Sequence, residues 1–183
     1  MVANALVSPL EYLRREAKAT RRHEYVAGIV CEMAGASRNH TRLTKNLHGM
    51  LYRALGEGPC ENLDQDVKVW IAARSVYYYP DATISCPPNF VDDAAGVIDN
   101  PTVIVEVLSP GTRALDQGPK FADYRTLPSF RDYVMIDSET MRVEVLSLEG
   151  GVWNTRAITD GKALLPSVGV EIDLQELYRR VVL

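Results

Sequence analysis

The order of local patterns along these 183 residues predicts an α/β fold with a mixed β-sheet core flanked by helices. Three observations carry that reading. Thr102 to Leu108 is apolar and β-branched at nearly every position, the mark of a strand buried on both faces. His40 to Leu55 sets Leu43, Leu47, Met50, Leu51 and Leu55 on one side at helical spacing. Short strand-like runs then fill the chain before and after the central strand. The length fits one domain over 1–183 with a sizeable core, and no repeat or linker argues for a second.

Ser8-Pro9-Leu10-Glu11 combines a cap, a proline at the first helical position and a capping-box acid, so a helix runs from Pro9 to about Lys18. Residues 23–33 read as a hairpin turning at Ala27-Gly28. Gly35 to Asn39 is a loop, and Asn39 caps the helix that follows. Asp64 to Ile71 alternates as one strand, and Val76–Tyr79 and Ala82–Ser85 flank Pro80-Asp81. Residues 86–101, rich in proline and aspartate, form a long loop suited to a lid or an interface. After the central strand comes a turn at Ser109-Pro110-Gly111, then a helix from Gly118-Pro119 to Leu127-Pro128. Strands at Arg131–Ile136, Arg142–Leu148, Val152–Ile158 and Val168–Ile172 lead to a last helix, capped at Asp173 and reaching Arg180.

Net charge is −4, so a protein that coats nucleic acid non-specifically is disfavoured. A local basic edge exists at Arg14, Arg15, Lys18, Arg21 and Arg22, which serves equally as a solvated helix face. Cys31, Cys60 and Cys86 are odd in number and lack Cys-x-x-Cys spacing, so neither a disulfide framework nor a zinc ribbon is expected. No run has the ~18 apolar residues of a membrane span, and none at the start reads as a signal peptide. A reducing cytoplasm is the expected location.

Glu106 is the anomaly. An ionised carboxylate inside a dry strand is costly without a charged partner. Asp81, at a neighbouring strand end, and Glu106 form the pair best suited to one hard divalent cation such as Mg²⁺. Such an ion lowers the pKa of bound water and neutralises charge on a phosphate. Lys120 is placed to position that water, and Tyr124 lies one turn later on the same face. The plainer alternative has Asp81 closing a turn and Glu106 pairing with Lys120 for structure alone. Arg113 and Ser109 could touch a phosphate or serve the turn. Tyr77-Tyr78-Tyr79 could stack a base, but fits better as a strand alternating between core and surface. His23 and His48 lack metal-ligand spacing and read as surface or helix-face residues.

The ordered series HEYVAG, YYPDATI, NPTVIVEVLSPGTRALDQGPKFADYR and FRDYVMID resembles the Uma-two family of endonucleases, in the PD-(D/E)XK, restriction-endonuclease-like superfamily, from about Leu10 to Leu177. The resemblance implies a restriction-endonuclease-like core with an N-terminal helix and hairpin and a C-terminal β extension. It matches Asp81 and Glu106 to the acidic motif positions. The motif lysine would fall at Leu108, and the family is thought to have moved it to the next helix, where Lys120 stands. Glu24 would add a third metal carboxylate. His40 and Asp116 fit family positions as supporting or substrate-contacting groups, beside Tyr124 and Arg113.

The expected function is therefore a metal-dependent endonuclease that uses Mg²⁺ or Mn²⁺ on nucleic acid, most simply DNA, with Asp81, Glu106 and Lys120 catalytic. The alternatives are an inactive nucleic-acid- or protein-binding module on the same fold, and a structural dimer. A homodimer through loop 86–101 and the C-terminal helix is expected for double-strand cleavage.

Overall fold

The computed structural model describes residues 6–183; the part of the signal-peptide expectation that falls on residues 1–5 lies outside them. Ser8 caps α1 (Pro9–Glu16) through its side chain, and the hairpin follows as β1 (His23–Val26) and β2 (Ile29–Glu32). α2 (Arg38–Leu55) is capped by Ser37, whose Oγ accepts from His40 N, and not by Asn39. Asn39 lies inside the helix, where its side chain holds Ser138 and Val182. Serine takes the cap because the helix begins at Arg38, two residues before the expected His40.

Of the strand expected at Asp64–Ile71 only Lys68–Ile71 is one, β4; Asp64 ends β3 (Glu61–Asp64), an unforeseen strand in the other sheet. An Asp64 side-chain bond to Asp66 N closes the turn between them. β5 (Val76–Tyr78) and β6 (Ala82–Ser85) follow as expected. The expected loop 86–101 contains β7 (Phe90–Asp92) and β8 (Val97–Ile98), a hairpin laid on the edge of one sheet. Prolines and aspartates there mark its turns and not an open lid. β9 (Val103–Leu108) leads to α3 (Arg113–Leu115), a π turn (Asp116–Lys120) and α4 (Phe121–Tyr124). This segment starts about five residues before the expected Gly118-Pro119. Pro119 sits inside it, where its missing N–H and ring displace the regular ladder.

β10 (Asp132–Asp137), β11 (Val143–Glu149) and β12 (Val152–Ile158) complete the main sheet. β13 (Lys162–Leu165), unforeseen in the sequence, pairs with β14 (Val170–Asp173). The last helix is only α5 (Leu174–Leu177), capped by Asp173; Leu174 and Leu177 are buried, so this helix offers no apolar face to a second copy.

The main sheet runs β12-β11-β10-β9-β6-β3, with β9 and β10 parallel and the other pairs antiparallel. The second runs β2-β1-β5-β4-β8-β7. β9 and β10 are buried along their whole length, because both faces of the main sheet are covered. Val103, Val105 and Val107 join Leu43, Leu47 and Leu51 of α2 and the β13–β14 hairpin on one face. Ile104 and Leu108 join Tyr78, Tyr124, Phe130 and Tyr133 on the other.

Tyr77, Tyr78 and Tyr79 are all buried, so none offers a ring to a base. The expected alternation fails because β5 is covered on both sides; Tyr77 packs against Tyr12, Tyr25 and Trp70. The cysteine expectation is corrected as well: Cys60 and Cys86 form a disulfide, and Cys31 is free. The two sit one step beyond the Glu61–Ser85 pair of the β3–β6 ladder, a neighbour relation that spacing along the chain does not reveal.

Leu47 is fully buried at the centre of the α2 contact. Leu47→Ala is expected to cost about 2–5 kcal/mol of stability, read as a lowered urea midpoint at unchanged slope.

Candidate active site

β9 turns Glu106 to the same face as Ile104 and Leu108, toward the second sheet and α4. The carboxylate is buried and meets Lys120 Nζ at 3.4 Å and the Tyr124 hydroxyl at 3.4 Å, both on Oε1. Lys120 itself is buried at the end of the π turn. Its ammonium is shared by three acids: Glu24 at 2.9 Å, Asp116 at 3.3 Å and Glu106. Glu24 comes from β1, so the N-terminal hairpin delivers its carboxylate to the central strand. Asp116 and Lys120 are four residues apart and face the same way, and Tyr133 donates to the Asp116 carbonyl. The Tyr78 ring lies 5.3 Å below the ammonium, a cation–π contact in a dry place.

Asp81 sits beyond the last β6–β9 pair, next to Glu106 in the ladder. Its Oδ2 accepts from Val107 N at 2.7 Å, and His40 Nε2 lies 3.0 Å from Oδ1. His48, two helical turns after His40, contacts the Asp81 carbonyl through Nε2 at 3.0 Å while its Nδ1 meets the Asn62 amide at 2.9 Å. Asn62 donates to Nδ1, which leaves the proton on Nε2 to reach the carbonyl. Asp81 is thus held from both ends of its residue. His48 was read as a surface or helix-face residue. The signal that marks it is its i+8 spacing from His40 with Thr44 between, which puts all three on one helix face.

The electrostatics separate a mouth from a floor. Asp81 and His40 keep some exposure, 15% and 17% of their side chains, whereas Glu106 and Lys120 keep 5% and 7%. Burial pushes the Glu106 carboxyl well above the usual range; Lys120 pulls it down, and Asp116, Asp81 and Glu24 add to the rise. Burial alone would lower the Lys120 ammonium, but Glu106, Glu24 and Asp116 outweigh it and hold the lysine charged. Burial likewise opposes the charged form of His40, yet the Asp81 hydrogen bond and the Asp81 and Asp116 charges raise it above its ordinary value.

Arg113 is committed elsewhere: its guanidinium binds Asp137 at 2.8 Å. Ser109 pairs with Thr112 within the turn. His23 binds Glu16 and stands apart from the site. Beside His40 and His48, a groove of about 850 Å³ runs between α2 and the β3–β4 turn, lined also by Thr44, Lys45, Tyr52 and Asp64.

The donor set fits a hard divalent ion. Four carboxylates, Glu24, Asp81, Glu106 and Asp116, surround one ammonium and one imidazole, and every acidic donor is oxygen. Asp116 Oδ1 is shielded from solvent and its one polar neighbour is the Lys120 ammonium at 3.3 Å, so Asp116 serves the lysine, and Asp81 and Glu106 are the carboxylates that would hold an ion. Among the described residues, no three His, Cys, Asp or Glu side chains already form a ligand cage. The two-carboxylate mode, completed by water and substrate, is the one the residues suit.

Leu108 occupies the position two residues after Glu106, on the same face, and is packed in the apolar cluster. A lysine there would bring a second ammonium beside Lys120 without a free acid to match it. Leu108→Lys is expected to destabilise the protein by roughly 3–5 kcal/mol, measured by chemical denaturation, and not to replace Lys120.

Comparison with known proteins bears on this geometry. The sequence profile of a family described as "Uma2: Putative restriction endonuclease" matches residues 9–178. Uncharacterized protein sll1609 of Synechocystis sp. (strain ATCC 27184 / PCC 6803 / Kazusa) is 39% identical over 140 residues, 76% of this chain and 79% of that one. Uncharacterized protein slr1290 of the same organism is 32% identical over 177 residues, 94% and 92% of the two chains. Among solved structures, a chain described as a "putative nuclease belonging to DUF820" from Anabaena variabilis ATCC 29413 superposes with a TM-score of 0.71. It is 14% identical, and the match covers 93% of this chain and 98% of that one, a likeness of fold.

Proposed function

This chain belongs to the Uma2 family, described as "Putative restriction endonuclease", and we propose that it is a metal-dependent nuclease hydrolysing phosphodiester bonds, with DNA as the first substrate to test. The observation that carries the reading is the buried Lys120 ammonium shared by Glu24, Glu106 and Asp116, with Asp81 on the adjacent strand. In this reading Asp81 and Glu106 hold Mg²⁺ or Mn²⁺. The ion supplies charge neutralisation at the phosphate and a more acidic bound water.

The chain's own residues do the rest. His40 and Val107 N fix the Asp81 carboxylate, and His48 fixes its backbone. Tyr124 orients Glu106. Lys120 is held as an ammonium, so it donates hydrogen bonds: it orients the attacking water and stabilises the phosphate oxygens, and it does not take the proton. Glu24 and Asp116 keep Lys120 charged and in place. Arg113, bound to Asp137, supports the turn and contacts no substrate in this scheme.

The inactive-module alternative is favoured by two observations: Lys120 already neutralises part of the acid cluster, and no three-ligand cage is preformed among the described residues. The homodimer belongs to the same proposal. The exposed Phe90 and Val91 on edge strand β7 are the surface for it, with α5 excluded.

Cleavage of plasmid and single-stranded DNA with Mg²⁺ or Mn²⁺ tests the assignment. Asp81→Asn, Glu106→Gln and Lys120→Met are each expected to lower the rate by at least about 100-fold, and EDTA to abolish it. Calorimetry should show Mn²⁺ uptake by the parent protein and its loss in Asp81→Asn. Equal residual cleavage in all four proteins would identify a contaminant, and folded protein without metal uptake would establish the inactive module.

A further inference from the structure

The basic run most visible in the sequence is largely spent. Arg15 pairs with Glu11, Arg21 with Glu32 and Arg22 with Asp66. A second basic group, assembled from the two ends of the chain, is not. Arg42 and Lys45 of α2 and Arg179 and Arg180 of the C-terminal segment line one pocket of about 430 Å³ together with Asn46, and no acidic side chain lines it. None of the four forms an ion pair among the described residues. Arg42 Nη1 is shielded from solvent and donates to nothing, an orphaned cationic donor of the kind that marks a missing acceptor.

The assembly is built and not incidental. Asn46 Nδ2 binds the carbonyls of Leu177 at 2.8 Å and Arg179 at 3.0 Å. Asn39 binds Val182 through both its amide nitrogen and its oxygen. These two side chains of α2 pin the C-terminal segment so that Arg179 and Arg180 stand beside Arg42 and Lys45. Arg180 has φ +65°, a left-handed backbone that a residue with a Cβ adopts only when its surroundings impose it. Like charges repel, so an arrangement that gathers four of them around one hollow without an acid calls for an anion.

We propose that this pocket is a phosphate-binding site that takes a backbone phosphate of a nucleic-acid strand. The choice of ligand rests on the nuclease reading above; the site itself does not. Lys45 lines both this pocket and the groove beside His40 and His48. α2 therefore separates the two hollows, and a strand crossing the helix at Lys45 would place one phosphate among the arginines while its neighbours lead to Asp81. Arginine forks grip the phosphate oxygens and fix the register of the strand without reading its sequence.

The test measures binding alone. The full chain is titrated in EDTA with a fluorescein-labelled single-stranded oligodeoxynucleotide, followed by anisotropy at several salt concentrations. The double variant Arg42→Gln/Arg180→Gly is compared with Arg14→Gln/Lys18→Gln, which removes the same charge elsewhere. Glycine suits the left-handed position, so the first variant should fold, and circular dichroism checks that. A third variant, Lys45→Gln, gives an independent measure. In the Arg42/Arg180 variant, affinity at ~0.1 M salt should fall roughly ten- to thirtyfold, and the slope of log K against log salt should shrink by about 0.7, the one phosphate contact's worth. Lys45→Gln, which removes the contact to the neighbouring phosphate at the α2 crest, should shrink it by about 0.7 as well, and the control pair should change neither by more than twofold. Equal losses in both double variants would overturn the proposal, as would unchanged binding. Inorganic phosphate is titrated as a second ligand. An arginine-dependent thermal shift with phosphate, alongside arginine-independent oligonucleotide binding, would overturn the strand assignment in favour of a small anion. A strand bound through these arginines but never cut with Mg²⁺ would sink the nuclease reading and leave this one standing.

Discussion

One ammonium ties the molecule together. Lys120 is buried and is contacted by carboxylates from β1, from β9 and from its own π turn. No one of these acids would be tolerable in that place alone, and the lysine would not be tolerable without them. An unpaired charge in the interior costs several kcal/mol, whereas a satisfied cluster roughly balances. The consequence is a fixed mutual placement of hairpin, central strand and following helix. The hairpin could otherwise slide along β5, since only Tyr25–Tyr77 and Val26–Val76 pair there. Glu24 binding both Lys120 and Tyr79 N removes that freedom.

The same constraint explains the irregular backbone at 116–120. A straight helix through Pro119 would clash one turn back and lose a ladder bond. The π turn absorbs the proline while keeping Asp116 and Lys120 on one side. Local helical regularity gives way to the charge cluster. Leu108 completes the apolar wall on this face of β9. Lys120 reaches Glu106 from the following segment on a flexible stem, and the three acids around its ammonium hold that stem in place.

Much of this was legible beforehand for identifiable reasons. β9 shows in the sequence because a strand buried on both faces has no choice but continuous Val, Ile and Leu. Glu106 shows because it violates that rule. Asp81 shows because Pro80 marks a strand end. What stayed hidden depends on contacts far apart in the chain. The turn at 65–67 hides because the alternation runs on from Asp64 to Ile71, and only the Asp64 side-chain bond to Asp66 N and the different sheets of β3 and β4 reveal it. The Cys60–Cys86 bond hides because ladder register, not spacing, makes the two neighbours. His48 hides because a histidine on a helix is neutral evidence until its partners, Asn62 and the Asp81 carbonyl, come from two different strand regions.

Charge distribution extends the argument from the cluster to the whole surface. A net charge of −4 opposes non-specific affinity for a polyanion. The acids at the site are concentrated in a small, mostly buried volume, where an ammonium and a divalent ion would cancel them. Of the basic run at the start of the chain, Arg15, Arg21 and Arg22 are paired with acids of their own surroundings. Affinity for a phosphate chain must then come from a few oriented cations and not from a general field. Among the described residues, α2 carries Arg42 and Lys45 beside Arg179 and Arg180 on one side, with no ion pair to any of them, and the His40–His48 face that meets Asp81 on the other. Screening at physiological salt reaches about 8 Å, so contacts made within the pocket survive where long-range attraction does not. A protein of this charge can therefore engage a strand at one place and in one register, and the α2 crest between the arginine pocket and Asp81 is where that register would be set.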